Sequence, residues 1–330
     1  MQTTPQTSEA LWYVRSGQAE IRSEPLISDA SRTCLVRGVF SAISRGTESL
    51  VFHGRVPESE YGRMGSPFMG GSFPFPVKYG YCHVGIVVDG PDDLRGRHVF
   101  SLSPHQTLAY HVPSSLVPVP LNISPRRAVL AANMETALNA VWTGKPCAAD
   151  KIAIVGGGLV GLLAAYLCQQ LPGADVTVID PMESRATVCQ KLGIRHVRHA
   201  SDTEDCDVVF HASATGAGLQ TALGLAGNEA TVVELSWYGD QLVPVPLGQG
   251  FHSQQIRLLS CQVGHIEASH RPRWDYRRRL EAAMRLLEDD RLDALLEPSI
   301  AFQDLPKAAP QIFSPGSDRL CQVIEYPAGA

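Results

Sequence analysis

A glycine-rich hexapeptide directly after an apolar segment constrains the fold of this chain more than any other feature of its sequence. Residues 151–155 (KIAIV) predict a buried strand, and residues 156–161 (GGGLVG) follow at once. In a Gly-x-Gly-x-x-Gly turn the first glycine permits the sharp strand-to-helix turn, the second lets a pyrophosphate approach the backbone, and the third lets helix and strand pack closely. The N–H groups that open the following helix attract phosphate. The motif predicts a dinucleotide-binding turn made by Gly156, Gly158, Leu159, Val160 and Gly161.

A carboxylate at the end of the next predicted strand supports this interpretation. The apolar run Val176–Ile179 ends at Asp180, 19 residues after Gly161. An acid about 20 residues beyond the last glycine accepts hydrogen bonds from the ribose hydroxyls of NAD. Because a carboxylate repels a 2′-phosphate, Asp180 favours NAD over NADP, while Arg185, a few residues further on, leaves NADP open as the cofactor. The alternative is a crossover whose glycines serve only packing.

Strand and helix signals alternate through the second half of the chain. Apolar runs at Val208–Phe210 and Thr231–Leu235 follow the nucleotide motif, separated by segments of helical periodicity. This alternation predicts right-handed crossovers and a parallel sheet covered on both faces. Before about Val119 the chain shows short β-like runs broken by glycine and proline. The predicted fold class is therefore α/β, a Rossmann doubly wound parallel sheet plus a β-rich domain. Ser124-Pro125 predicts the start of a helix that runs to about Val141.

Composition excludes several classes of partner. The 330 residues carry a formal charge of −5, so nothing attracts the chain generally to nucleic acid. Its most apolar stretch, Ile152–Cys168, is shorter than the ~20 residues of a membrane-spanning helix, and the first residues do not resemble a secretory signal. Eight scattered cysteines without a Cys-x-x-Cys pair indicate reduced thiols and a cytoplasmic location. The expected partner is a small-molecule substrate.

Three short motifs resemble those of the medium-chain dehydrogenase/reductase superfamily. Residues 46–48 (GTE) are similar to its Gly-Thr-Asp, residues 80–85 (GYCHVG) to its Gly-His-Glu-x-x-Gly, and residues 155–161 to its nucleotide turn. Residues 44–48 and 236–239 resemble most the branch that includes bacteriochlorophyllide dehydrogenases. The resemblance implies a homodimer and three segments: a GroES-like β-rich catalytic domain (1–122), a Rossmann dinucleotide-binding domain (123–266) and a return to the catalytic domain (267–330).

The zinc ligands of that superfamily are missing. Zinc-dependent members have a cysteine before Gly-Thr-Asp and a His-Glu pair in the second motif, whereas these positions hold Arg45, Tyr81 and Cys82. A catalytic zinc needs three thiolate, imidazole or carboxylate ligands, and of the three residues only Cys82 qualifies. The sequence therefore predicts no metal at this position. A zinc site rebuilt from other residues is the alternative, with Cys82, His83, His53, His105 and His111 as candidates.

Without a metal, hydrogen-bond donors must polarise the reacting oxygen. By its position Tyr81 is the best candidate, and Thr47 matches the hydroxyl residue that relays protons in zinc-dependent members. Arg45 would place a positive charge beside the developing oxyanion, or would pair with Glu48 or Glu135. Because a buried carboxylate without a partner is costly, Glu135, inside an apolar helix, is expected to pair with Arg45 or to lie at the site. The predicted catalytic residues are Tyr81, Thr47, Arg45, Glu135 and Cys82.

Polar residues after two later strands extend the predicted cofactor site. Ser213 follows Val208–His211, and Ser236-Trp237 follows Thr231–Leu235. Ligands of open α/β sheets bind at the carboxyl ends of the strands. We therefore assign Ser213, Ser236 and Trp237 to the cofactor, although Trp237 could equally pack a domain boundary.

These observations predict a zinc-independent, NAD(H)-dependent dehydrogenase or reductase that moves hydride to or from a carbonyl or alcohol. One alternative is a metal-free enone or quinone reductase, because an enolate oxygen needs only one donor. Another is a non-catalytic NAD(P)-binding sensor. Oxidation of NADH with ketones, enones and quinones separates the three.

Overall fold

The computed structural model describes residues 7–327, apart from the side chain of Asp202, and divides the chain into two compact units. Unit 1 comprises Met1–Ala132 and Leu296–Ala330, and unit 2 comprises Asn133–Leu295. Residues 1–6 and 328–330, at the two ends of the predicted domain segments, lie outside the described residues.

Strands and helices are distributed unevenly along the chain. The strands are β1 (Thr7–Arg15), β2 (Gln18–Pro25), β3 (Cys34–Ala42), β4 (Gly70–Gly71), β5 (Val77–Lys78), β6 (His83–Asp89), β7 (His98–Ser101), β8 (Leu108–His111), β9 (Val117–Pro118), β10 (Lys151–Val155), β11 (Asp175–Ile179), β12 (Arg195–Val197), β13 (Cys206–His211), β14 (Ala226–Glu234), β15 (Arg257–Ser260), β16 (Ile300–Ala301) and β17 (Val323–Glu325). The helices are α1 (Arg45–Phe52), α2 (Pro125–Ala128), α3 (Ala131–Gly144), α4 (Leu159–Gln169), α5 (Ser184–Leu192), α6 (Gly216–Leu225), α7 (Gly250–Ser253), α8 (Tyr276–Arg285) and α9 (Leu305–Ile312).

Unit 1 is built on two sheets of mainly antiparallel strands. One has the order β2-β1-β5-β4, and the other has the order β16-β17-β3-β6-β7-β9, with β8 also paired to β3. The last strand of the chain, β17, pairs with β3, with Ile324 opposite Ser41. Val36, Val87 and Val99 belong to its apolar core. The glycine- and proline-interrupted runs predicted this β-rich architecture, but not β1 and β2.

Unit 2 contains one parallel sheet with the order β12-β11-β10-β13-β14-β15. From β10 the chain adds β11 and β12 on one side and then β13, β14 and β15 on the other side. The strand order therefore reverses between β10 and β13. The strands are apolar throughout because both faces of such a sheet are covered; Ile152, Ala153 and Ile154 are fully buried. The predicted doubly wound Rossmann sheet is confirmed.

The helix predicted from Ser124 to about Val141 is two helices. Ser124 does cap α2, because its Oγ accepts a hydrogen bond from the Arg127 N–H at 3.1 Å. A tight turn, in which Leu130 N–H donates to Arg127 O at 3.0 Å, then separates α2 from α3. Val129 and Leu130, in and after this turn, are completely buried. Their burial stabilises the break between the two helices, which the helical periodicity of the sequence does not indicate.

A buried arginine explains where unit 2 ends. Arg279 of α8 is 2% exposed, and its guanidinium donates to Glu135 Oε1 at 3.0 Å and to Asn139 Oδ1 at 2.7 Å. These contacts attach α8 to α3, and residues 267–295 belong to unit 2. The sequence predicted instead that the chain returns to the first domain from residue 267. The neighbouring arginines are surface residues, since Arg277 pairs with Glu281 and Arg278 stacks on Trp274.

No helix within residues 7–327 is long and apolar enough to cross a membrane. All eight cysteines lie in this part of the chain, and each is a free thiol.

Two buried histidines make the stability of unit 1 sensitive to acid. Burial lowers the pKa of His83 to about 4 and that of His111 to about 3, and both side chains are 1% exposed. The Nδ1 atom of each has no hydrogen-bond partner, so both rings are held neutral in the folded state.

We predict that the free energy of unfolding falls as the pH drops below about 6.5, the pKa of an unfolded histidine. The unfolded chain then binds protons that the folded chain refuses, at about 1.4 kcal/mol per pH unit for each histidine. Urea unfolding between neutral and mildly acidic pH measures this slope. Replacing His111 by Gln should reduce it, and an unchanged slope in that variant would contradict the explanation.

Candidate functional site

The glycine turn of unit 2 joins β10 to α4 with the geometry that the motif predicts. Gly156 has φ +108°, and a Cβ there would lie 2.6 Å from Ser213 N. A Cβ on Gly161 would collide with the carbonyl oxygen of Gly156. Gly156 and Gly161 are therefore required by the fold itself, whether or not a ligand binds.

Gly158 is different, because nothing in the protein requires a glycine there. It caps α4 with φ −73° and ψ 176°, backbone angles that any residue adopts. A Cβ on Gly158 would meet no atom within 4 Å. The N–H groups of Leu159 and Val160, in the first turn of α4, have no acceptor within the helix. This open space in front of unpaired N–H groups fits a phosphate group.

The carboxylate of Asp180 is fixed beside this turn. Its Oδ2 accepts a hydrogen bond from Gly157 N–H at 2.7 Å, and its Oδ1 accepts one from Met182 N–H at 2.9 Å. Asp180 follows β11, on one side of β10, where the adenine ribose of a dinucleotide is expected. Turn, helix terminus and acid together fit NAD.

Arg185 points into unit 2 rather than toward solvent. It is 2% exposed, and its Nε has no hydrogen-bond partner. A Cβ on Gly157 would lie 3.2 Å from Arg185 Cγ, so the aliphatic part of the Arg185 side chain packs against the glycine turn. A guanidinium buried in this way does not present itself to a 2′-phosphate.

A second polar group lies at the carboxyl ends of β13 and β14, the neighbouring strands on the other side of β10. At the centre of this group are His211 and Glu234, which the sequence did not single out and whose Nδ1 and Oε2 atoms are 2.8 Å apart. The predicted Ser213 contacts His211, and the predicted Ser236 accepts a hydrogen bond from Ala214 N–H at 3.0 Å. His211 and Glu234 both end apolar strands, a position that could have singled them out. Trp237 is half-buried in the loop that follows β14.

In unit 1 the predicted Tyr81 is part of a cluster of hydroxyl groups. The Tyr81 hydroxyl donates to Ser44 Oγ at 2.7 Å and also forms a hydrogen bond with Thr47. Burial raises the pKa of Tyr81 well above its usual range, so the phenol stays protonated as a hydrogen-bond donor. Arg45, half-buried at the first position of α1, follows Ser44 in the chain.

A buried network lies next to these hydroxyl groups. Glu48 is fully buried, and its carboxylate accepts hydrogen bonds from Tyr13 OH at 2.9 Å and from Ser44 N–H at 2.8 Å. The same carboxylate contacts His105 Nε2 at 3.0 Å, and the other ring nitrogen of His105 contacts Ser41 Oγ at 2.8 Å. The network fixes the start of α1, and with it Ser44.

These residues do not fit a catalytic zinc. Among residues 7–327 no group of three or more histidine, cysteine, aspartate or glutamate side chains is arranged to hold a metal ion. Cys82, the one ligand type at the family position, is fully buried. Of the other candidates, His105 is engaged with Glu48 and Ser41 as described.

Glu135 forms an ion pair with Arg279 at 3.0 Å, a partner that the sequence did not suggest. Glu135 itself is 5% exposed. Burial raises its pKa, although the nearby guanidinium opposes the shift. Removing one partner of a buried ion pair leaves the other uncompensated, so this contact stabilises unit 2.

Comparison with known proteins finds relatives among NAD(P)-binding proteins and dehydrogenases. Residues 154–189 match the family model of an NAD(P)-binding Rossmann-like domain. The chain is 26% identical over 156 residues to 2-dehydro-3-deoxy-L-galactonate 5-dehydrogenase of Pseudoalteromonas atlantica, covering 44% of this chain and 45% of that protein. It is 23% identical over 215 residues to an uncharacterized zinc-type alcohol dehydrogenase-like protein of Haemophilus influenzae, covering 61% and 58%. The chain thus spans about half the length of the curated relatives it matches.

A solved structure extends the similarity to nearly the whole chain. The acetophenone reductase of Geotrichum candidum, in complex with NAD, superposes with a TM-score of 0.77 at 16% identity. The match covers 98% of each chain. At this identity the match establishes the fold alone.

Proposed function

We propose that this chain belongs with the zinc-type alcohol dehydrogenases of the medium-chain dehydrogenase/reductase superfamily and is an NAD(H)-dependent oxidoreductase that works without zinc; its similarity to dehydrogenases and to NAD(P)-binding domains supports the proposal. The observation that carries the proposal is the open cradle at Gly158, which the fold does not require and a pyrophosphate would fill. The burial of Arg185 and the fixed carboxylate of Asp180 support NAD over NADP as the cofactor.

The proposed reaction is hydride transfer between nicotinamide and a carbonyl or alcohol. The bound nicotinamide supplies or accepts the hydride. Tyr81 donates a hydrogen bond to the reacting oxygen, in place of the Lewis acid of zinc-dependent relatives. In this step Tyr81 would turn its one hydroxyl proton from Ser44 Oγ to the reacting oxygen, with Ser44 and Thr47 as hydrogen-bond partners of its oxygen, and Thr47 would relay a proton to or from Tyr81. Arg45 adds a positive charge that stabilises a developing oxyanion.

A carbon–carbon double bond conjugated to a carbonyl is the second candidate substrate. Its reduction leaves an enolate oxygen, for which one protonated donor suffices. The raised pKa of Tyr81, a consequence of burial, keeps that donor protonated and favours this candidate as well.

Oxidation of NADH by the purified protein with ketones, enones and quinones tests the proposal. Turnover with a ketone supports the dehydrogenase, and turnover restricted to enones or quinones supports the second candidate. Retained NADH binding without any turnover would contradict both and favour a nucleotide sensor. The homodimer and the cytoplasmic location stay predictions, which size-exclusion chromatography and cell fractionation test.

A further inference from the structure

The polar group at the carboxyl ends of β13 and β14 is an ordered chain of hydrogen bonds around one imidazole. His211 is fully buried. Its Nδ1 lies 2.8 and 2.9 Å from the two carboxylate oxygens of Glu234, and its Nε2 lies 2.7 Å from Ser213 Oγ. Ser213 Oγ in turn lies 2.9 Å from Thr215 Oγ1, a residue exposed to solvent. The chain therefore connects a buried imidazole–carboxylate pair to the surface of unit 2.

The hydrogen bonds also fix the charge of this group. Burial opposes ionisation of Glu234, but the hydrogen bonds from His211 and from Ser236 N–H keep its pKa below the usual range. Tyr238 OH donates to Glu234 Oε2 at 3.0 Å, and burial raises the pKa of Tyr238, which stays neutral. Since Glu234 is ionised, Nδ1 of His211 carries a proton and donates it. With Nε2 unprotonated the group has a net charge of −1, and with Nε2 protonated it has none.

Within residues 7–327, the titratable side chains that hydrogen-bond to His211 are Glu234 on β14 and Tyr238 in the loop that follows it. From α6 the facing residue is Gly218, where a Cβ would lie 2.8 Å from His211 Nε2 and would collide with Ser213 Oγ. In the turn after β10, Gly156 packs against the backbone of Ser213.

The sheet order tells which half of a dinucleotide meets this group. Asp180 and the adenine ribose belong to the β10-β11-β12 half of the sheet, and β13, β14 and β15 form the other half. A dinucleotide binds across the reversal of strand order, one nucleotide to each half. The nicotinamide nucleotide is thus expected at the ends of β13 and β14. Its ring is cationic when oxidised and neutral when reduced.

We propose that the ionised carboxylate of Glu234, held in place by His211, makes this site favour the oxidised, cationic nucleotide over the reduced one. The inference rests on the proposed function, because it needs a bound nicotinamide nucleotide. His211 and Glu234, which lie outside the glycine motif, would then determine which redox form of the nucleotide the protein binds more tightly.

The test is the ratio of the dissociation constants of NAD⁺ and NADH, measured by calorimetry for the wild type and for two variants at neutral pH. Removing a unit charge from a half-buried site changes such a ratio by roughly tenfold. We expect Glu234→Gln, which removes the negative charge, to raise the NAD⁺/NADH ratio by about that factor. His211→Gln, which leaves the Glu234 carboxylate in place, should keep the ratio low.

Glu229→Gln is the matched control, because Glu229 is an exposed carboxylate on the same strand; its ratio should equal that of the wild type. If Glu234→Gln weakens the binding of NAD⁺ and NADH equally, leaving the ratio unchanged, the pair has only a structural role and the inference is overturned. If the wild-type protein binds neither nucleotide, the proposed function itself fails, which is a distinct result.

Discussion

Replacing Gly158 by Val is expected to weaken NADH binding strongly while lowering the stability of the protein much less than Gly161→Ala does. The backbone angles of Gly158 suit any residue, and a Cβ would meet no protein atom within 4 Å. The side chain would instead occupy the space expected for the pyrophosphate. Overpacking of a close-fitting contact costs about 1–3 kcal/mol, or roughly five- to 150-fold in the dissociation constant. NADH fluorescence titration measures the affinity, and urea unfolding measures the stability.

Gly161→Ala is the contrasting variant. A Cβ there collides with the carbonyl oxygen of Gly156, so this substitution should lower the free energy of unfolding as well as the affinity. If Gly158→Val binds NADH as the wild type does, the space at Gly158 does not hold the pyrophosphate. The nucleotide site would then have to be sought elsewhere in unit 2.

The second large effect is expected from Tyr81→Phe, in an assay with any substrate that supports NADH oxidation. The substitution removes the hydroxyl that contacts Ser44 and Thr47 and keeps the ring. Losing one hydrogen-bond donor to a developing oxyanion lowers kcat by about 100- to 1,000-fold. The affinity for NADH should not change, because Tyr81 belongs to unit 1.

Tyr79→Phe is the matched control for Tyr81. Tyr79 is a buried neighbour whose hydroxyl donates to the carbonyl oxygen of Met64 at 3.1 Å, and its ring centroid lies 6.0 Å from that of Tyr81. A loss of one hydroxyl in the same aromatic environment should leave kcat near the wild-type value. An equal loss in both variants would mean that Tyr81 acts on folding and not on the reacting oxygen.

The parts of the account that a short stretch of sequence determines were predictable. The strand, the glycine turn and the helix from Lys151 to Gln169 are contiguous, and each glycine has its own steric reason. The doubly wound sheet follows from the alternation of strands and helices. Asp180 was predictable because one crossover of typical length separates it from the turn.

The buried charged pairs were not predictable, because their members are distant in sequence. Arg279 and Glu135 are 144 residues apart, and no local pattern in the sequence links them. His211 and Glu234 are 23 residues apart, and their meeting depends on the register between β13 and β14, in which they are directly paired. Such contacts follow from the assembled sheet and not from local propensity.

We propose that this chain, which is similar to a zinc-type alcohol dehydrogenase-like protein, transfers hydride without a zinc ion. The most direct measurement combines elemental analysis of the purified protein with its NADH turnover before and after dialysis against a strong chelator. We predict turnover by protein that contains far less than one zinc per chain, unchanged after dialysis. One zinc per chain, with turnover lost on dialysis and restored by added Zn²⁺, would contradict the claim.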